Sequence, residues 1–95
     1  MQKVSVICQD FSYKCLQGNT EALVEELVYD SRKVVQGSMF FCMVGAKWDG
    51  HDFCKEVVEK GATVLVVSKP VEDIPQNVTV ILVEDTRKAL AYVSA

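Results

Sequence analysis

An α/β fold is predicted, with a small, open, largely parallel (Rossmann-like) sheet flanked by helices. Three features of the sequence point there. Apolar runs of strand length recur at residues 38–44, 62–67 and 78–83. Between the first two, Phe53, Cys54, Val57 and Val58 repeat at helical spacing, which makes a strand–helix–strand unit. Two polar clusters, Asp30-Ser31-Arg32 and Gly45-Ala46-Lys47-Trp48-Asp49-Gly50-His51, stand at the ends of consecutive apolar runs. Open α/β sheets place ligands at strand ends of this kind.

Taken in order, Val4-Ser5-Val6-Ile7-Cys8 suits a short strand by alternation or a first helical turn and a half, and a short helix is expected. A brief strand over residues 11–16 ends at the turn signal Gln17-Gly18-Asn19. Residues 23, 24, 27 and 28 fit a helical face on periodicity, but Leu27-Val28-Tyr29 is strand-like and runs straight into Asp30. The expectation is a strand over 23–30. Gly37 supplies a turn, where positive φ costs little. The run from 38 to 44, bounded by Gly37 and Gly45, suits a strand buried on both faces. Segment 52–60 is a helix with Asp49 or Asp52 as its N-cap and Gly61 just past its end. The ten-residue link over 68–77, with Pro70 and Pro75, is short for a parallel crossover, so the direction of the strand at 78–83 stays open. Asp85 caps a final helix from near Thr86, which reaches Ala95 without a stop signal. That pattern suggests the front end of a longer protein.

Ninety-five residues make one domain with a modest core. No run approaches the roughly 18 apolar residues that span a bilayer, and residues 1–8 are too short and too soon polar for a signal peptide. A cytosolic protein is expected. The net charge of -3 comes with no Lys/Arg stripe, which argues against nucleic acid as a partner. Cys8, Cys15, Cys42 and Cys54 form no C-x-x-C pair, and the single His51 does not complete a usual zinc set with them. Free thiols are expected, with Cys42 and Cys54 in the core.

Asp30-Ser31-Arg32 offers a carboxylate, a hydroxyl and a cation. The hydroxyl can hold a carbonyl or phosphate, and Arg32 can pair with Asp30 or grip a diphosphate bidentately. The plain alternative is a turn held by Asp30 accepting backbone N–H bonds. The glycine-bounded loop before the helix could cradle an anion, with Lys47 as a mobile cation and Trp48 as a flat face for a base or sugar. It matches neither G-x-G-x-x-G nor G-x-x-x-x-G-K-[ST]. His51 could act as a general base, but a capping or packing role is the expected one. No nucleophile–His–carboxylate set can be assembled.

In combination, Asp30-Ser31-Arg32, Val34, Gly37, Met39-Phe40, Gly45, Asp49-Gly50-His51-Asp52-Phe53 and Gly61-Ala62 resemble the N-terminal domain of the Mur ligases. These ATP-dependent enzymes add amino acids to the UDP-linked precursor of peptidoglycan. The resemblance covers residues 12–95. Tyr13-Lys14-Cys15-Leu16-Gln17-Gly18 and Val83-Glu84-Asp85-Thr86-Arg87-Lys88-Ala89-Leu90 are in the style of the MurE branch, which adds the third amino acid to UDP-N-acetylmuramoyl-dipeptide. The MurF branch, which adds D-Ala-D-Ala, shares much of the frame and is the alternative. A non-catalytic α/β nucleotide-binding module is a further one, and an interaction domain without a small ligand another.

The resemblance implies a single domain over residues 1–95 that binds the UDP end of UDP-N-acetylmuramoyl-peptide, without catalytic or metal-ligating residues of its own. Tyr29, Ser31, Ala46, Lys47 and Trp48 match the family's substrate contacts. Arg32 and His51 match frame positions with a structural role. ATP and Mg2+ would serve the parent enzyme through central and C-terminal domains, and the parent would be cytoplasmic, with no nucleic-acid or membrane partner.

Overall fold

In the computed structural model, which describes residues 2–9, 11–44 and 49–94, the chain forms β1 (Gln2–Lys3), α1 (Val4–Ile7), β2 (Lys14–Gln17), β3 (Leu23–Val24), β4 (Glu26–Val28), a 3-10 turn (Ser31–Lys33), β5 (Ser38–Phe41), a second 3-10 turn (Gly50–Phe53), α2 (Cys54–Glu59), β6 (Val64–Val67), β7 (Thr79–Leu82) and α3 (Thr86–Ser94). The main sheet has five strands in the order β2-β7-β6-β5-β4. Strands β4 to β7 are parallel, and β2 adds to β7 antiparallel.

Both faces of the sheet are covered because both sets of alternating side chains are apolar. Phe40, Cys42, Leu65, Val67 and Val80 pack on one face with Cys54 and Val57 of α2. Met39, Phe41, Met43, Val64, Val66 and Ile81 pack on the other with Val4, Cys8, Val24 and Ala89. Every residue of β5 and β6 is buried. The Sγ atoms of Cys42 and Cys54 lie 3.4 Å apart in this core. The hydrogen bond to Cys54 and burial push the Cys42 thiol well above its ordinary range.

Several expectations needed correction. The strand expected over 23–30 is two strands. Leu23 and Val24 pair antiparallel with Lys3 and Gln2 in a separate ribbon, and only Glu26–Val28 joins the main sheet. The break falls at Glu25, whose N–H donates to the Gly37 carbonyl at 3.0 Å. The strand expected at 11–16 runs over Lys14–Gln17 instead, with Phe11 and Tyr13 packed on the core ahead of it. The helix expected from residue 52 begins as the 3-10 turn and becomes α-helical at Cys54. Phe53, read as part of that helix's core face, is 36% exposed. The strand at Thr79–Leu82 proves parallel to β6. Its link needs no helix, because Val71 and Ile74 pack on the core and the Gln17 amide donates to the carbonyls of Pro75 and Val78.

The short helix near residue 4, the buried strand after Gly37, and the Asp85 cap are as expected. The Asp85 carboxylate accepts from the N–H groups of Arg87 and Lys88 at 2.9 and 3.3 Å.

Helix α2 ends in a full Schellman closure. The Gly61 N–H donates to Val58 and the Ala62 N–H to Val57. Gly61 has φ +120, and a Cβ there would lie 2.7 Å from Gln36 Cα. The Gly61 carbonyl also accepts from the Gly37 N–H at 2.9 Å, so two crossovers meet at this point. Gly61→Ala is therefore expected to destabilise the chain by about 1–3 kcal/mol, from strained backbone and clash. Urea denaturation measures it, and an unchanged midpoint would show that this junction yields at no cost.

Candidate functional site

The cavity at the carboxyl ends of β4 and β5 is built from the first polar cluster and the second 3-10 turn. Its volume is about 480 Å³, and Tyr29, Asp30, Ser31, Arg32, Phe40, Gly50 and Phe53 line it. The parallel strands follow one another in chain order across the sheet. No reversal of strand order opens a central crevice among them, so the cavity lies beside the outermost strand.

Asp30 caps the first turn. Its Oδ1 accepts from the Arg32 N–H at 2.9 Å, and the guanidinium returns to the same carboxylate through Nε at 3.1 Å and Nη2 at 3.0 Å. These bonds from Arg32 bring the Asp30 carboxyl down to about 2. Of the two roles open to Arg32, the structure shows the pairing with Asp30. The Ser31 carbonyl accepts from Lys60 Nζ at 3.0 Å. Its hydroxyl has no hydrogen-bond partner among the described residues, although it lines the cavity. Tyr29 follows β4 directly and is 61% exposed, so a large ring stands at the rim without core neighbours to cover it.

The opposite wall is carried by the turn Gly50–Phe53. Val44 and Asp49 form an antiparallel bridge, and the Gly50 N–H donates to the Met43 carbonyl at 2.6 Å. A Cβ on Gly50 would meet Met43 N at 2.7 Å, so this approach requires glycine. Asp49 caps the turn through the His51 N–H at 2.9 Å and meets His51 Nδ1 at 2.6 Å. The Ser68 N–H donates to His51 Nε2 at 3.1 Å. A backbone N–H can only donate, so Nε2 is the acceptor and Nδ1 carries the proton that Asp49 receives. His51 is buried and has no free lone pair. It packs and caps, and has no nitrogen left to act as a base. Lys69 Nζ reaches Asp49 Oδ2 at 2.6 Å. The ammonium of Lys69, with smaller help from the His51 bonds, holds the Asp49 carboxyl well below the usual range, and Asp49 raises Lys69 in turn.

Of the five expected contact residues, Tyr29 and Ser31 come together in this cavity. Ala46, Lys47 and Trp48 lie outside the described residues. Sequence reasoning missed Phe40, Gly50 and Phe53 as cavity walls. The Asp49–Lys69 pair, twenty residues apart, carried no local signal. Among the described residues no group of three or more His, Cys, Asp or Glu could hold a metal ion. The sequence also has no G-x-x-x-x-G-K-[ST] loop. The described residues therefore do not fit an ATP–metal centre.

The chain is thus an α/β domain with a largely parallel sheet and a cavity at the carboxyl edge of that sheet, walled by aromatic rings and the Ser31 hydroxyl. Residues 23–95 match the family model described as "Mur ligase family, catalytic domain", and the chain belongs to the Mur ligase family.

It is 44% identical over 93 residues to the UDP-N-acetylmuramoyl-L-alanyl-D-glutamate--2,6-diaminopimelate ligase 1 of Clostridium acetobutylicum, covering 98% of this chain and 19% of that protein. It is 40% identical over 89 residues to the corresponding ligase of Clostridium perfringens, covering 94% and 18%. Among solved structures, MurF from Acinetobacter baumannii superposes with a TM-score of 0.76 at 26% identity, covering 97% of this chain and 20% of that one. MurF from Thermotoga maritima, in complex with ADP, superposes at 0.64 with 27% identity, covering 78% and 17%. The chain thus spans about a fifth of the length of these curated relatives.

Acid stability should report the two depressed carboxylates. A carboxyl whose folded pKa lies below its unfolded value of about 3.9 stabilises the fold fully above that value. The contribution is lost as pH falls through the folded pKa. For Asp30 the window runs down to about 2. Lys69→Met removes the largest cause of the Asp49 shift. The Asp49 side-chain carbon should then titrate nearer the ordinary range by NMR, and the acid-unfolding midpoint should move to higher pH. An unmoved Asp49 titration would show that Lys69 does not hold that carboxylate.

Proposed function

We propose that this chain is the UDP-substrate-binding domain of a MurE-type ligase, the enzyme that joins the third amino acid to UDP-N-acetylmuramoyl-dipeptide in peptidoglycan synthesis. The observation that carries this reading is the Ser31 hydroxyl, without a hydrogen-bond partner among the described residues, together with the exposed Tyr29 ring in a cavity at the carboxyl edge of the sheet. A flat ring suits a uracil face, and a hydroxyl that can donate suits an anionic phosphate oxygen. The four residues Gly45, Ala46, Lys47 and Trp48 join Val44 to Asp49, the two sides of the neck next to this cavity. Ala46, Lys47 and Trp48 are assigned the remaining contacts.

Charge is distributed in keeping with that role. Arg32 is engaged by Asp30, and Lys60 by Ser31 and Glu56. The diphosphate is then held by the Ser31 hydroxyl, by backbone N–H groups and by Lys47, rather than by a preset arginine fork.

The relatives' names favour 2,6-diaminopimelate as the amino acid added by the parent enzyme. The curated diaminopimelate ligases reach 44% identity, whereas the MurF structures cited above stand at 26% and 27%, which favours the MurE branch. The parent enzyme would activate the substrate carboxylate with ATP and Mg2+ through domains beyond this sequence, in the cytoplasm. This chain's share of the reaction is to bind and orient the nucleotide end. No helix among the described residues is long and apolar enough to cross a membrane, in keeping with a substrate met in water.

The test is a backbone amide NMR titration with UDP and with UDP-N-acetylmuramoyl-dipeptide. Shifts concentrated at residues 29–32 and 45–53 with both ligands are the expected result. Shifts confined elsewhere, or none at millimolar ligand, would overturn the assignment. Ser31→Ala is expected to weaken UDP binding by about 1 kcal/mol or more, roughly fivefold, as loss of a hydrogen bond to a charged group does. Unchanged affinity would remove Ser31 from the site.

A further inference from the structure

We propose that His51, with Asp49 and Lys69, is a positioning residue for the ligand cavity, acting through the turn that carries two of its walls. The inference rests on the UDP-binding reading and adds residues that touch no ligand. Gly50 and Phe53 line the cavity, and both belong to the 3-10 turn Gly50–Phe53. That turn is too short to hold itself. His51, the residue between those walls, is turned away from the cavity into a buried clasp, with Nδ1 against Asp49 and Nε2 accepting from the Ser68 N–H. Ser68 follows directly on β6, one of the two fully buried strands. The clasp therefore ties a short turn to the end of a fully buried strand.

Lys69 completes it from outside. Its ammonium holds Asp49 Oδ2, while Oδ1 serves the His51 N–H and ring. The same neck is held on its other side by α3, where Arg87 Nη2 donates to the Val44 carbonyl at 3.0 Å and Thr86 Oγ1 to the Cys42 carbonyl at 3.0 Å. Neither His51 nor Lys69 lines the cavity. Removing the imidazole leaves the buried Ser68 N–H without its partner and Asp49 Oδ1 with the His51 N–H alone, and frees the wall to drift.

The test measures the affinity of this chain for UDP and for uridine by NMR, in the wild type, His51→Leu, His51→Gln and Lys69→Met, with urea stability recorded for each. Uridine carries no phosphate, so a loss shared by both ligands reports a displaced wall, and a loss for UDP alone reports only a missing charge. His51→Leu, measured where it is folded, is expected to lower both affinities about tenfold, the scale of an unsatisfied buried group. His51→Gln restores an acceptor for Ser68 and should recover most of that loss. Equal affinity in wild type and folded His51→Leu would overturn the proposal while leaving the UDP site standing. Failure of the wild type itself to bind UDP would overturn the UDP reading, and this inference with it. If His51→Leu does not fold, Lys69→Met decides. Its side chain is 56% exposed, and about threefold weaker uridine binding is expected from a loosened Asp49, with unchanged uridine binding overturning the proposal.

Discussion

Strand β5 has no solvent on either side, and the adjacent β6 shares that condition. Backbone polar groups buried this way must be paired along their full length, so the two strands fix each other's register, Met39 to Val64 through Phe41 to Val66. The pairing runs one bond further, from the Cys42 N–H to Val66. Everything polar that the chain carries at this end is then forced beyond the last paired residue. The Gly50–Phe53 turn, the Asp49 carboxylate and the Ser68 N–H gather at one edge for that reason. A sheet with one wet face could have scattered them.

The charges of the site are largely spent on one another. Asp30 and Arg32 close a two-residue fork, while Asp49 is shared by Lys69 and His51. Each pair stiffens a turn rather than projecting a field into the cavity. Among the described residues that line the cavity, the side-chain polar groups outside these pairs are the Tyr29 phenol and the Ser31 hydroxyl. On the proposed reading, these described groups would contribute shape and directed hydrogen bonds, and charge would come from Lys47.

Much of this was legible in the sequence wherever a rule of period or capping applies locally. The buried strand after Gly37, α2 with its Gly61 terminus and the Asp85 cap all follow from spacing. What could not be read depends on contacts between distant segments. Nothing local shows that Glu25 bends the chain from one sheet into another, since the bend is fixed by a bond to Gly37. The direction of β7 rests on Val71 and Ile74 covering the core and on Gln17 holding Pro75 from across the sheet. Phe53 misled for a related reason. Its spacing suits a helical core face, but the first turn there is 3-10, and the tighter winding turns the ring toward the cavity. The choice of Arg32 between its neighbour and a ligand was likewise open until the geometry of Asp30 was known.

The unbroken strand order has a consequence for the length of molecule that can be handled. A crevice between two halves of a sheet closes on a ligand from both sides and limits it to what fits between them. Here the cavity lies at the margin, bounded by Tyr29 on β4's end and by Phe53, and among the described residues no further strand lies beyond β4 in the main sheet. A ligand held there, as proposed, could be gripped at one terminus and leave along the edge of the sheet. On the proposed reading, such a margin would work as a vise for one end of a long, chemically varied chain, leaving the far end to whatever stands there.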